Sequence, residues 1–456
     1  MTDFAGLIID SQAKSIRINQ IKVEGLVHTK HEFIQAITEP LIEANTLGDV
    51  IIGTRNVATQ LRGLGIFKEV SITLDANPNT EPDCVDVVYT VVERPRIDAR
   101  TGADFGYNEG SMNMSLLFRN AFGKAETIMA TSSYGVDTTT SLQAPKDESV
   151  SSTGMQGASA HQLTFTKPLF TSSDQMLEAN LFKNDRNHTA LMSYQEAVQG
   201  FTASIKNTIS ANSLYEVAYN AIWRENHSLS PNASLTIRKD AGHSLKSSIS
   251  HSFSIDTRDD TVFPTVGRYL RVFQELAGFG GNVSFLKNEL NSLYVQNFNN
   301  FISISGSMRC GVLFPLSFEG SNSGVRVNDR FQLGGPNSLR GFSQSGVGPR
   351  ESKDSIGGDL YYGVGLSALF PLPVLPSNLF RGHTFVNGGS LVRMDKSNIV
   401  ESTTNLFANP SVAAGVGLVA RFTNFRLELN YCVPLRATTT DLPKHGFQFG
   451  IGMHFM

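Results

Sequence analysis

The chain has 456 residues, of which 17% are charged, with 40 glycines, 30 phenylalanines and a single tryptophan, whereas soluble domains carry roughly 25% charge. A net charge of -3 with a pI ≈ 6.4 excludes the basic footprint of a nucleic-acid binder. Cys84, Cys310 and Cys432 lie too far apart for a disulfide framework or a zinc site, and no run of about 18 apolar residues makes a transmembrane helix. Few charges, many phenylalanines and a mean hydropathy of -0.11 fit a membrane β-barrel, which hides its apolar residues in alternation. A soluble all-β protein fits the composition nearly as well.

The opening MTDFAGLIIDSQAKSIRINQ has no basic region followed by an apolar core, so no secretory signal is expected. Its early acidity and scarcity of Arg speak against a cleaved mitochondrial presequence. Residues 1–15 read as a flexible N-terminus and 16–95 as a small domain. IRINQIKVEGL predicts a strand carrying Ile16, Ile18, Ile21 and Val23, turning at Gly25. KHEFIQAITEPLIEA places Phe33, Ile34, Ile37 and Leu41 on one helical face, with Pro40 weakening its end. GDVIIGTRNVATQLRGLGIF predicts a second helix from Val50, Val57, Leu61 and Leu64, closed by Gly63 and Gly65. KEVSITLDA and CVDVVYTVVERP follow as strands. This β-α-α-β-β order predicts a sheet covered on one face by helices.

From 97 onward no amphipathic helix is expected, only alternating segments separated by polar turns. About sixteen strands are predicted, near 97–108, 111–121, 125–136, 158–167, 176–186, 194–205, 213–223, 246–257, 267–277, 283–297, 301–313, 358–370, 382–391, 411–422, 424–435 and 446–456. The last is the clearest: Phe447, Phe449, Ile451, Met453 and Phe455 point one way, and Gln448, Gly450, Gly452 and His454 the other. In 425–433 the polar face is Arg426, Glu428 and Asn430. Segments of this length suit tilted strands crossing a bilayer. An even number of antiparallel strands closes a barrel and removes its edges. The fold class expected is therefore mostly β: an antiparallel transmembrane barrel over 97–456, preceded by one small α+β domain.

The long connection 314–357 is the exception to short turns, and it holds GGPNSLRGF, with Arg340 among three glycines. A phosphate-cradling loop would need a Lys-Ser/Thr pair opening a helix, whereas here the chain runs on into FSQSGVGPRESKD. A long barrel loop can instead fold back into the lumen, where an arginine pairs with carboxylates at low effective dielectric. This loop reads as poor in large apolar residues. No G-x-S-x-G elbow, H-E-x-x-H or Cys-x-x-Cys pair occurs. His161, His188, His227, His251 and His383 are scattered without ligand spacing and read mostly as surface or loop residues. No enzyme, cofactor or metal site is expected.

These residues carry a resemblance. The β-α-α-β-β order, with its GLGIFKEVSI junction and VVYTVVER last strand, resembles a POTRA domain over 16–95. SLRGF, before the final strands, resembles the (V/I)RG(F/Y) signature of the outer-membrane barrel-assembly superfamily. One POTRA domain without a presequence resembles that superfamily's mitochondrial sorting and assembly branch. The resemblance implies that Arg340, Gly341 and Phe342 form the tip of a loop inside the barrel, with the arginine contacting strands near the C-terminus. Many members use an F-x-D-x-G segment there. Here Phe385-Val386-Asn387-Gly388-Gly389 carries Asn387 in place of Asp, so a bond to the Asn387 amide oxygen replaces an ion pair. Glu428 is a further lumen-facing candidate by parity. The last strand resembles the sorting signal of mitochondrial barrel precursors, with Gln448, Gly450, Met453 and Phe455 in its positions.

The resemblance implies the core subunit of a mitochondrial outer-membrane machine that inserts and folds β-barrel precursors, with its POTRA domain in the intermembrane space. The partners implied are precursors, accessory subunits of a sorting and assembly complex, and membrane lipid. A half-folded barrel has two unpaired edges, and each unpaired backbone group in hydrocarbon costs several kcal/mol. A machine that opens its own seam offers a template edge. The seam expected is a lateral gate between 97–108 and 446–456, weakened by Gly102, Gly106, Gly450 and Gly452. The same glycines equally serve to make room for lumen side chains. A passive pore would need neither the POTRA domain nor the RGF loop. A protein-translocating channel of the same superfamily would share every motif.

Overall fold

The computed structural model describes residues 14–75, 84–105, 109–137, 159–169, 174–298, 301–316, 325–373, 375–395, 398–422 and 426–452. The N-terminal part comprises β1 (Arg17–Glu24), α1 (His31–Thr38), α2 (Leu47–Gly63), β2 (Phe67–Asp75) and β3 (Cys84–Glu93). Phe33, Ile34 and Ile37 form the buried face of α1. The single helix expected through Leu41 stops at Thr38, and a 3-10 turn over Glu39–Glu43 takes over at Pro40. Thr46 caps α2 by accepting the Asp49 N–H at 3.1 Å. The sheet order is β1-β3-β2, with β1 parallel and β2 antiparallel to the central strand. Val87, Tyr89 and Val91 of β3 bury against Val50, Val57 and Leu61 of α2. The region is a small α+β domain, with the β-α-α-β-β order expected over 16–95. Most of the stretch expected to be flexible, residues 1–13, lies outside the described residues, while the Lys14 carbonyl accepts the Leu47 N–H at 3.0 Å.

Sixteen antiparallel strands follow in one sheet. The first eight are β4 (Ile97–Phe105), β5 (Glu109–Arg119), β6 (Thr127–Asp137), β7 (Ser159–Pro168), β8 (Gln175–Asn187), β9 (Gln195–Ser210), β10 (Ser213–His227) and β11 (Gly242–Asp256). β12 (Gly267–Gly281), β13 (Phe285–Phe298) and β14 (Ile302–Pro315) lead into the long loop, which holds a small hairpin, β15 (Arg350–Glu351) and β16 (Asp354–Ser355). The last five are β17 (Leu360–Pro371), β18 (Phe380–Val392), β19 (Ser411–Arg421), β20 (Arg426–Arg436) and β21 (Gly446–Gly452). Neighbours in the chain are neighbours in the sheet, with β14 passing to β17 across the loop.

Register separates the two faces. Leu366 pairs with Val386, Val416 with Tyr431, and Tyr431 with Phe447, and all five are exposed on the outer wall. Asn387, Glu428, Asn430 and Gln448 lie on the opposite parity and are buried inside. Exposed apolar outside with buried polar inside is the pattern of a membrane barrel. Short helices interrupt the far-side loops: α3 (Thr189–Met192), α4 (Leu235–Lys239) and α5 (Ile399–Ala408), the last a departure from the expectation of no amphipathic helix beyond 97. The last is capped by Asn398, which accepts the Glu401 N–H at 3.2 Å.

The small domain is seated on the β5–β6 turn. Asn120 donates to the Thr29 hydroxyl at 2.8 Å, and the Lys30 N–H to the Gly123 carbonyl at 2.9 Å. Arg96 donates to the carbonyls of Asn120 and Ala121, and Ala125 joins the small domain's core. Glu93 organises the facing loop by accepting from the Thr29 hydroxyl at 2.6 Å and from the N–H groups of Val27, His28 and Thr29. Burial pushes this carboxyl up, but those hydrogen bonds outweigh it and hold it at about 2. Its folded value is below the ordinary value of about 4.3, so its contribution is complete above that value and lost as pH falls toward 2. Hydrogen exchange of the 27–29 amides, corrected for intrinsic rates, is therefore expected to lose protection between about pH 4.3 and 2, and Glu93→Ala to lose it at neutral pH.

Candidate functional site

The long loop turns back into the lumen and crosses it. Its root is held on one wall: Arg224 of β10 donates to both Asp329 carboxylate oxygens, at 2.8 and 2.9 Å. Lys287 of β13 donates to the Asp329 carbonyl at 3.3 Å, and Asn328 bonds Asn226 of β10 at 3.0 Å and Glu196 of β9 at 2.5 Å. Phe331, Leu333, Leu339, Phe342 and Val347 form a buried cluster with Phe285, Leu313 and Leu391 of the wall. The loop is thus richer in large apolar residues than it read, and it carries its own core.

Its tip is held on the other wall. Arg340 is 1% exposed, and its Nε and Nη2 donate to Glu428 Oε2 at 3.1 and 2.9 Å. The second oxygen of Glu428 faces Arg426 Nη2 at 2.5 Å. The Arg340 guanidinium lies 5.0 Å from the centre of the Phe385 ring. That ring sits close over β19: a Cβ added at Gly415 would come within 2.6 Å of it. Asn430 donates to Glu428 at 2.9 Å and bonds His383 Nδ1 at 2.9 Å. His383 is buried and stacked on Phe385, not at the surface where it read.

Asn387 meets the arginine differently from expectation. With its amide oriented to satisfy both ends, its oxygen accepts the Arg340 backbone N–H at 2.7 Å. Its nitrogen then donates to the carbonyls of Arg340 (3.3 Å) and Ala413 (3.1 Å). Asn387 therefore holds the tip's backbone, while Glu428 takes the charge. An aspartate there would face backbone carbonyls that need a donor, which an amide supplies and a carboxylate does not.

Gly341 and Phe342 bind the last strand. The Gly341 N–H donates to Gln448 Oε1 at 3.0 Å, and Gln448 Nε2 donates to the Phe342 carbonyl at 3.0 Å. Gly341 has φ +86, and a Cβ there would lie 2.5 Å from the Ala413 Cβ, so glycine is required twice over. The Gly341 carbonyl accepts the Lys444 N–H at 2.8 Å, and Phe342 bridges to Pro443, fully buried. Of the proposed seam glycines, Gly102 is exposed with open space around it, whereas Gly450 is buried opposite Glu428. Gly452 pairs with Arg426. Gly106, Met453 and Phe455 lie outside the described residues. Arg426, His383 and Asn430 were missed as parts of the site, and Phe385, quoted as the first residue of the segment around Asn387, was given no role of its own. Arg426 and Asn430 share the parity of Glu428, the one signal that points to them.

Residues 120–455 match the Omp85 superfamily domain. The chain belongs to the Omp85 superfamily. Within it, the "SAM50-like protein" of Schizosaccharomyces pombe is 31% identical, with 99% of this chain and 93% of that protein covered. The human "sorting and assembly machinery component 50 homolog" is 33% identical, covering 97% of this chain and 91% of its own. This Omp85 protein is thus of the SAM50 family. In fold it is similar to BamA from Haemophilus ducreyi lacking POTRA domains 1–3, with TM-score 0.76 at 18% identity, covering 96% of this chain and 84% of that one. CdiB from Acinetobacter baumannii aligns with TM-score 0.54 at 13% identity, covering 96% and 73%.

Two outcomes test the loop's attachments. Arg340→Met leaves the buried Glu428 with one cation instead of two, and is expected to cost about 3 kcal/mol, the low end for breaking a buried pair. The urea midpoint of the detergent-solubilised protein, read from heat-modifiable gel mobility, checks this. A wild-type midpoint would show that the pair does not hold the loop. Gln448→Ala cuts both side-chain bonds from the tip to β21. Amide exchange across 446–452 is then expected to rise while that of β19 stays unchanged.

Proposed function

We propose that this protein is the membrane-embedded core of a mitochondrial outer-membrane machine that inserts and folds β-barrel precursors through a lateral gate between β4 and β21. The observation that carries this reading is the ladder itself. β4 and β21 are its two terminal strands, and the tip of the inward loop is bonded to the second of them. Among the described residues β4 pairs with β5, and β21 with β20. An incoming strand laid along β4 finds a row of backbone donors and acceptors, so its own groups are bonded as they enter lipid. The names of the SAM50-family relatives support the assembly role.

On this reading the chain divides into a POTRA domain over 16–95, in the intermembrane space, and the barrel over 97–456, with 314–357 folded inward. The small domain sits on the β5–β6 turn, one hairpin from β4, where it meets precursors before the seam does. Arg340, Gly341 and Phe342 set the position of β21 through Gln448 and Glu428. Release of β21 is then a change at this cluster. Accessory subunits of the sorting and assembly complex and surrounding lipid complete the partners. The protein acts by templating, and no catalytic group is assigned.

A protein-translocating channel is the rival. The loop speaks against it, because its root is bonded to β10 and β13 and its tip to β20 and β21, across the path a chain would take. Site-specific disulfide crosslinking separates the two. Single cysteines are placed along 97–105 and 446–452 in a background lacking Cys84, Cys310 and Cys432, and an arrested precursor carries one cysteine in its last strand. Crosslinks in register with 97–105 are expected. Crosslinks confined to lumen positions would sink the gate and leave a channel.

A further inference from the structure

Helix α5 carries an apolar surface that the rest of the fold leaves open. At about 100° per residue, its side chains divide into three arcs. Ser402 and Leu406 are buried against the barrel rim. Ile399, Thr403, Phe407, Val400 and Thr404 follow on an arc of about 140°, and Glu401 and Asn405 occupy the remaining side. Both of these arcs are exposed, and the apolar one strongly so: Val400 is 77% exposed, Phe407 61% and Ile399 48%.

This arc does not stand free over the loops. Phe407 stacks on Tyr362, with ring centroids 5.1 Å apart and planes at 26°. Tyr362 lies at the far-side end of β17 with the parity of Val364 and Leu366, which are exposed on the outer wall. Its neighbour Tyr361 points the other way, into the lumen cluster with Phe331. The helix therefore leans outward over the rim, and its apolar arc continues the lipid-facing band past the end of the strands. Its C-terminal end is tied to β20, where Arg436 donates to Asn409 Oδ1 at 2.8 Å and to the Ala408 carbonyl at 3.4 Å. A cation there also suits the negative end of the helix dipole.

We propose that α5 is an interfacial helix whose Ile399–Val400–Phe407 arc is buried at the headgroup–acyl boundary of the leaflet on the side away from the small domain. A short helix with apolar residues on one arc, a carboxylate and an amide on the opposite one, and a lipid-facing aromatic at its foot lies in the plane of the interface. It clamps the rim at β17–β20, beside the seam, to a fixed depth in the bilayer.

The test uses the full chain reconstituted in phosphatidylcholine vesicles, with Trp223→Phe removing the native tryptophan. Val400→Trp is expected to emit at shorter wavelength than a water-exposed indole and to lose most of its emission to phospholipid brominated near the top of the acyl chain. Glu401→Trp, on the polar arc, is expected to keep its emission with brominated lipid and lose it to aqueous iodide. Both variants are first shown to be folded by heat-modifiable gel mobility, and Phe407→Trp replaces Val400→Trp if that variant does not fold. Water-like emission from the apolar-arc tryptophan, quenched by iodide and not by brominated lipid, would overturn the proposal. So would shielding from iodide that arises only when accessory subunits are present, which would make the arc a protein-binding face.

Discussion

A strand that crosses hydrocarbon must have its backbone groups paired within protein, because no water is there to take them. Among the described residues, fifteen ladder pairings join the sixteen strands in chain order. β4 and β21 are the two ends of that ladder, and the proposed gate lies along the line between them. The rest of the structure is arranged around that line, with the loop tip on one side of it and the small domain close to the other.

The loop is a strut. Asp329 at its root and Arg340 at its tip are ion-paired to opposite walls, and a small apolar cluster stiffens the span between them. Buried ion pairs contribute little net stability once desolvation is counted, but they are costly to break one partner at a time. They therefore specify where the loop sits more than how tightly the barrel folds. The same geometry couples the loop to the seam. Gln448, on the last strand, accepts from Gly341 and donates to the Phe342 carbonyl, so a displaced β21 leaves two tip groups to find other partners.

At the other end, Glu93 gathers three N–H groups and a hydroxyl from the loop that touches the β5–β6 turn. Thr29 serves both sides, donating to Glu93 and accepting from Asn120. The junction combines these polar bonds with a small apolar contact, Ala125 in the small domain's core, which holds the domain at the rim.

Period-two alternation made the strands legible, because outward apolar and inward polar residues are forced to alternate when one face meets lipid and the other a polar lumen. Helical spacing of Phe33, Ile34 and Ile37, and of Val50, Val57 and Leu61, made the small domain legible in the same way. Parity placed Glu428 inside, and the RGF loop was visible as a cation among glycines. Partner choice was not legible. That Glu428 takes the Arg340 charge, that Asn387 takes its backbone, that Phe385 lies under the guanidinium and that Gln448 reads the loop tip are contacts between residues 40 to 110 positions apart. Nothing local encodes them, and α5 was missed because ten residues carry too little period to stand out from a loop. Which residues face lipid and which face the lumen follows from strand geometry, and so was written in the order of residues along the chain. Which lumen residues meet was settled in three dimensions, because it depends on how the sheet curls and where a long loop comes to rest inside it.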